Sequence, residues 1–278
     1  MAIFFGLLTA LFFGSGDFFG GISAKRTSLL YVVAFSHLVG LLGALALAPF
    51  LADAFTWSDF AIGAVAGALG GVGVALLYRG LARGPMAVVA PLTAITSAAV
   101  PAIWGVAGGE TLSAIAWVGV AVALMAIGLS SIPNTSDGTG VTKAVIGQSL
   151  LSGACFGSMF ILLDATLDAT APWPIVGART LTTAVLLTII FTVKREGLPS
   201  IKPAIGTIAL AGLFDTGSNV LFLFATTVGD LSIVAVLSSL YPAATVLLAR
   251  IWLNERMSRL QLVGLVMALT ATALIAAG

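Results

Sequence analysis

The stretch Gly84–Ala126 recurs at Gly229–Ala271 with no gap, every residue displaced by 145. Val89 pairs with Val234, Leu92 with Leu237, Glu110 with Glu255, Ser113 with Ser258, and Val118-Gly119 with Val263-Gly264. A chain duplicated in this way folds its two halves on one plan. If each half crosses a membrane an odd number of times, the second copy lies upside down relative to the first. Inverted copies around a central site are the architecture of many alternating-access transporters.

Composition identifies the solvent. With 59% hydrophobic and 8% charged residues and a mean hydropathy of +1.14, the chain has too little polar surface for a water-soluble domain of its size. The 32 glycines suit helices that pack closely where lipid gives no hydrophobic drive between them. A net charge of +1 gives nucleic acid no purchase. Cys155 is alone, so no intrachain disulfide or cysteine metal site is expected. Nor is any cofactor.

Ten segments reach the length of a span: 2–23, 31–51, 59–81, 86–107, 112–132, 143–164, 172–193, 204–226, 231–253 and 258–277. The expected class is an all-α membrane protein of ten transmembrane helices in two inverted five-helix repeats. Residues 1–133 form the first repeat, 134–142 the polar linker and 143–278 the second. The leading segment carries Asp17 and no basic n-region, so it reads as a retained helix and not a signal peptide.

Loop charge agrees with that count. One side receives Lys25, Arg26, Arg79, Arg83, Lys143, Lys194, Arg195, Lys202, Arg250, Arg256 and Arg259. The other receives only Asp53, Asp59, Glu110, Asp164, Asp168 and Asp230. Basic loops stay cytoplasmic, which sends both termini to the outer, periplasmic face.

Ionisable groups at membrane depth are costly and mark cavities or mutual pairs. Asp17, His37, Arg179 and Asp215 qualify. Arg179 offers a planar fork to a carboxylate, and Asp17 or Asp215 offers a partner to an amine or to Arg179 itself. His37 is either a proton carrier or a hydrogen-bonded core residue. Tyr78, Trp104, Phe156, Phe160 and Tyr241 are the aromatic candidates for a cavity wall, with Asn219 as a polar neighbour. Packing is the alternative for each. Trp57, Trp173 and Trp252 lie near span ends, as an interfacial belt would. Pro91 and Pro101 are expected to interrupt the fourth segment and Pro242 the ninth.

Phe13-Gly14-Ser15 repeats as Phe156-Gly157-Ser158, displaced by 143, and His37 falls near Arg179 in the same alignment. Gly84-Pro85 opens the fourth segment. The turns Gly109-Glu110-Thr111-Leu112-Ser113 and Asn254-Glu255-Arg256-Met257-Ser258 precede glycine-bearing apolar segments. Together these resemble the drug/metabolite transporter superfamily, in its two-repeat, ten-helix EamA branch, and within it the aromatic amino-acid exporters. Asn254 and Asp17 depart from the pattern. The resemblance implies an inner-membrane exporter of amino acids or related metabolites, with the fifth and tenth helices peripheral. Its partners are a small-molecule substrate and the bilayer. Both halves lie in one chain, which is compatible with a monomer and leaves the oligomeric state open.

No zinc-ligand helix pattern, paired catalytic aspartates or phosphate-binding glycine loop occurs, which leaves no enzyme or ATP-driven pump to argue for. The alternatives are a channel, or an exporter of other metabolites or drugs.

Overall fold

The computed structural model describes residues 1–24, 26–83, 86–130, 143–193, 201–253 and 259–277, with side chains except at 78–92, 130, 193 and some positions after 245. Every regular element among them is helical. In chain order these are α1 (Ala2–Ala24), α2 (Leu29–Leu51), α3 (Trp57–Arg83), α4 (Met86–Ala107), α5 (Ala114–Ser130) and α6 (Lys143–Asp164). They continue as α7 (Trp173–Val193), α8 (Ile205–Thr226), α9 (Leu231–Ser238), α10 (Tyr241–Leu253) and α11 (Arg259–Ala277). Among the described residues, six helical stretches, in α1, α2, α3, α6, α7 and the run Lys202–Thr226 that contains α8, are long and apolar enough to cross a membrane. Four shorter apolar runs lie at Thr93–Ala107, Ala114–Leu129, Leu231–Thr245 and Leu262–Ala271.

The expected ninth segment is two helices, because α9 stops at Ser238 and α10 starts at Tyr241. Pro242 has no N–H for the Ser238 carbonyl, and its ring crowds that oxygen. The chain turns there through tighter bonds, Leu240 N–H to Leu237 O at 3.1 Å and Ala243 N–H to Leu240 O at 3.0 Å. The fourth segment is not interrupted. Helix α4 runs unbroken from Met86 to Ala107 past both its prolines. The linker 134–142, Gly84-Pro85 and the 254–258 turn lie outside the described residues.

Packing runs between halves more than within them. Helix α1 lies along α8 and α10, α3 along α6 and α7, α2 along α7 and α8, α4 along α6 and α9, and α5 along α11. Glycine sets the closest crossings. A Cβ on Gly67 would fall 2.5 Å from the Ala178 Cα, and one on Gly14 would fall 2.6 Å from the Tyr241 carbonyl oxygen. Only a residue without a side chain lets these backbones meet. Hydroxyls buried in apolar helices bond back to their own backbone. Ser15 to Leu11 O, at 2.7 Å, and Ser23 to Phe19 O, at 2.8 Å, are examples.

Two carboxylates tie the halves together at the acidic end. Asp59, at the start of α3, accepts from Thr170 Oγ1 at 2.7 Å and from the Leu167 N–H at 3.2 Å. Glu110 accepts the N–H groups of Leu231 at 2.9 Å and Ser232 at 3.1 Å, capping α9 with a charge that suits a helix N-terminus. Phe55, Trp57 and Trp173 cluster at this same end, with ring centres 4.9 and 5.0 Å apart.

Candidate functional site

A cavity of about 90 Å³ lies among α1–α4, α6–α8 and the start of α10. Its lining is divided. Asp17 on α1, His37 on α2, Arg179 on α7 and Asp215 and Asn219 on α8 supply polar groups. Opposite them stand Gly70, Gly71 and Val74 of α3 and Phe156, Met159 and Phe160 of α6. The division follows the packing. Helices α1, α2, α7 and α8 form one contiguous wall and α3 and α6 the other.

Arg179 is buried at the centre of the polar wall. Its NH2 meets Asp215 Oδ2 at 2.6 Å, Nε donates to Thr216 Oγ1 at 3.0 Å, and NH1 reaches His37 Nε2 at 3.1 Å. Three directions are therefore fixed at once. A guanidinium only donates, so His37 Nε2 must accept. The imidazole proton then sits on Nδ1 and donates to Thr182 Oγ1 at 2.9 Å. The Thr182 hydroxyl is free to accept because its own proton goes to the Ala178 carbonyl, also at 2.9 Å. In this arrangement His37 is a neutral, doubly bonded support for Arg179, the second of the two roles its sequence position allowed.

The carboxylates differ. The Asp215 side chain is 36% exposed and lines the cavity, while its Oδ2 holds Arg179. Asp17 also opens into the cavity and lies close enough to Asp215 for the two charges to act on each other. Among the described residues it makes no hydrogen bond or ion pair. Asn219 donates to the Asp215 carbonyl at 2.7 Å, which leaves its side-chain oxygen unused by that bond.

Phe13, Phe160 and Tyr241 make one aromatic corner, with Phe13 6.0 Å from Phe160 and 6.4 Å from Tyr241, and Phe160 stacks on Phe222 at 4.4 Å. Phe156 lines the opposite stretch. Trp104 departs from expectation. It is 61% exposed beside Ile103, on a face of α4 turned away from the cavity. The Tyr78 side chain lies outside the described residues. The structure thus brings eight of the expected site residues to one cavity: Asp17, His37, Phe156, Phe160, Arg179, Asp215, Asn219 and Tyr241. Sequence reasoning missed Phe13, Thr182 and Thr216. Phe13 had a signal, since its counterpart in the repeat is Phe156. The threonines had none, because a hydroxyl in an apolar helix usually bonds only its own backbone.

Residues 144–277 match the model of the EamA-like transporter family. No curated protein matches the chain. A solved structure named only "Crystal structure of protein" superimposes with a TM-score of 0.80 at 15% identity, over 98% of this chain and 95% of that one. At that identity the likeness speaks for the fold. The family match supports the drug/metabolite transporter superfamily and implies a multi-pass membrane transporter of small molecules.

Proposed function

We propose that the protein is an alternating-access carrier that exports small zwitterionic amphiphiles, amino acids with apolar or aromatic side chains first among them. It works in the inner membrane, with ten crossings in two inverted repeats and both termini periplasmic. The observation that carries the substrate reading is the Arg179–Asp215 pair at 2.6 Å in a cavity with one polar and one apolar wall. That pair holds the place of the solute. A zwitterion's carboxylate takes the NH2 edge of Arg179, and its ammonium takes the Asp215 carboxylate so released, with Asp17 beside it. One internal ion pair is exchanged for two external ones, and no charge is left unmatched by the exchange. The α3–α6 wall receives the apolar body.

Size favours a small solute. The cavity of about 90 Å³ is several times the roughly 10–15 Å³ that a single enclosed water needs, which leaves room for a small solute.

Contacts that recur at the repeat displacements support the inverted reading. Gly67 against Ala178 has its counterpart in Gly212 against Ser36, since 67 + 145 = 212 and 178 − 142 = 36. Gly14 against Thr245 has its counterpart in Gly157 against Val100, since 14 + 143 = 157 and 245 − 145 = 100.

Counterflow in proteoliposomes, with and without a pH gradient, tests the function. Saturable exchange of labelled L-leucine is expected, competed by zwitterions better than by the matching amine or acid alone. Unsaturated flux with single-channel currents would establish a channel instead. Flux and affinity unaltered in Arg179→Ala would remove Arg179 from the substrate site.

A further inference from the structure

We propose that Thr216 is a positioning residue that makes the cavity selective for carboxylates by fixing the guanidinium of Arg179, and that Gly40 on the facing helix is what admits its hydroxyl. The proposal rests on the reading above that the solute's carboxylate meets Arg179.

An arginine side chain has many rotamers, and its selectivity for a carboxylate depends on which edge it presents. Here two of the three guanidinium nitrogens are held by protein neighbours other than Asp215. His37 takes NH1 at 3.1 Å and Thr216 takes Nε at 3.0 Å, so NH2 alone is turned to the carboxylate. Without the Thr216 contact the group is held at one point and swings about it. Thr216 is itself buried, and its one described bond is the one to Arg179. That sets it apart from Thr180, Thr182, Thr188 and Thr192, whose hydroxyls bond the carbonyl four residues back.

Gly40 explains the difference. A Cβ there would overlap Thr216 Oγ1 and stand 3.1 Å from Thr216 Cβ and 3.2 Å from the Gly212 carbonyl oxygen. The hydroxyl occupies the space that a side chain on α2 would fill. The related crossing of α3 and α7 pairs a threonine with a glycine too, with the helices' roles exchanged and at ordinary contact distance. Thr182 lies against Gly71, with 3.6 Å between its Cγ2 and the Cβ position, and its hydroxyl holds His37. Gly40 corresponds to Thr182 and Gly71 to Thr216, since 40 + 142 = 182 and 71 + 145 = 216. Each threonine faces a glycine, and each supports one member of the His37–Arg179 pair.

The experiment compares the full-length protein with Thr216→Val, Thr216→Ser and Gly40→Ala in liposomes, using L-leucine and its decarboxylated analogue 3-methylbutylamine as competitors. The wild type is expected to prefer leucine. In Thr216→Val and Gly40→Ala, leucine affinity falls roughly tenfold or more, as loss of a hydrogen bond to a charged group implies. Amine affinity stays the same, and Thr216→Ser restores the preference. A leucine-to-amine ratio unchanged in Thr216→Val overturns the proposal. A wild type that shows no preference overturns the carboxylate reading on which it rests. Nitrogen-15 NMR separates the two failures. The Arg179 Nε–H is expected to exchange slowly in wild type and Thr216→Ser and rapidly in Thr216→Val, and slow exchange in Thr216→Val refutes the positioning role whatever the solute.

Discussion

Removing Arg179 and removing Asp215 break the same ion pair, yet the two changes should differ several-fold in their effect on stability. The charges meet at 2.6 Å between nearest atoms, which puts their centres about 4 Å apart and their attraction near 4 kcal/mol at an effective dielectric of about 20. The Asp215 side chain is 36% exposed, and solvent reduces the figure to about 2 kcal/mol. Arg179→Met loses that attraction, strips His37 Nε2 and Thr216 Oγ1 of their donor, and leaves Asp17 and Asp215 as two adjacent carboxylates. At about 1 kcal/mol each, the low end for an orphaned buried group, the two bring the total to about 4 kcal/mol, in the range for breaking a buried pair. Asp215→Asn keeps an amide oxygen for Arg179 and leaves one guanidinium with one carboxylate, Asp17, in the cavity. Its expected cost is about 1 kcal/mol. At about 2–4 °C per kcal/mol, Arg179→Met melts roughly 10 °C below wild type and Asp215→Asn only a few degrees below. Tryptophan fluorescence of detergent-solubilised protein at one fixed scan rate measures this, since such unfolding is commonly irreversible. An Asp215→Asn protein as unstable as Arg179→Met would refute the charge count.

Asp17→Asn should raise the melting temperature while weakening transport, because the wild-type carboxylate lines the cavity alongside that of Asp215 and makes no bond among the described residues; a lower melting temperature would contradict this. Gly67→Ala should destabilise by about 1–3 kcal/mol, its Cβ falling 2.5 Å from the Ala178 Cα, whereas Gly71→Ala, with its nearest neighbour at 3.6 Å, should be nearly silent. Equal melting curves for the two would show that α3 and α7 are free to part. Glu110→Gln should loosen the acidic end, because the carboxylate that caps α9 through Leu231 and Ser232 loses its charge. With Cys155 replaced by alanine and a cysteine placed at Ser97 in the cavity, labelling by an impermeant maleimide from the outside should rise several-fold, and an unchanged rate would show that the Glu110 cap does not restrict access to the cavity.

Much of the helical layout was legible because hydropathy reports directly on which segments are long and apolar enough to span. Asp17, His37, Arg179 and Asp215 were legible for the same reason, since an ionisable group at membrane depth has few places to go. Trp104 failed for a physical reason. On a helix that is apolar all round, the lipid face and the cavity face have the same composition, so no periodicity marks which way a tryptophan points. The break in the ninth segment was readable from Pro242, but Pro91 and Pro101 carried the same sign in an unbroken helix. One sequence does not separate the two cases, because proline removes the same N–H in each. Thr216 and Thr182 were invisible because a threonine in an apolar helix usually bonds only its own backbone and gives no sign of which neighbouring helix its hydroxyl meets.

The cavity takes equivalent positions from the two halves of the proposed repeat and gives them unlike chemistry. Phe13 and Phe156 are displaced by 143, as are Asp17 and Phe160, while His37 and Arg179 are displaced by 142. Gly70 and Asp215, and Val74 and Asn219, are displaced by 145. All ten line the cavity. A carrier with identical halves would bind its solute equally well in two opposite poses, and a zwitterion would meet a like charge at one end of each. Placing both α8 polar groups and Arg179 in the second half, with Asp17 and His37 facing them from the first, removes that degeneracy. The polar groups gather on α1, α2, α7 and α8, and their equivalents on α3 and α6 become the apolar wall. The close glycine crossings at 67 and 212, and at 14 and 157, lie outside this exchange. The frame that must pack in both orientations therefore keeps its symmetry, and the surface that must distinguish one end of a solute from the other gives it up.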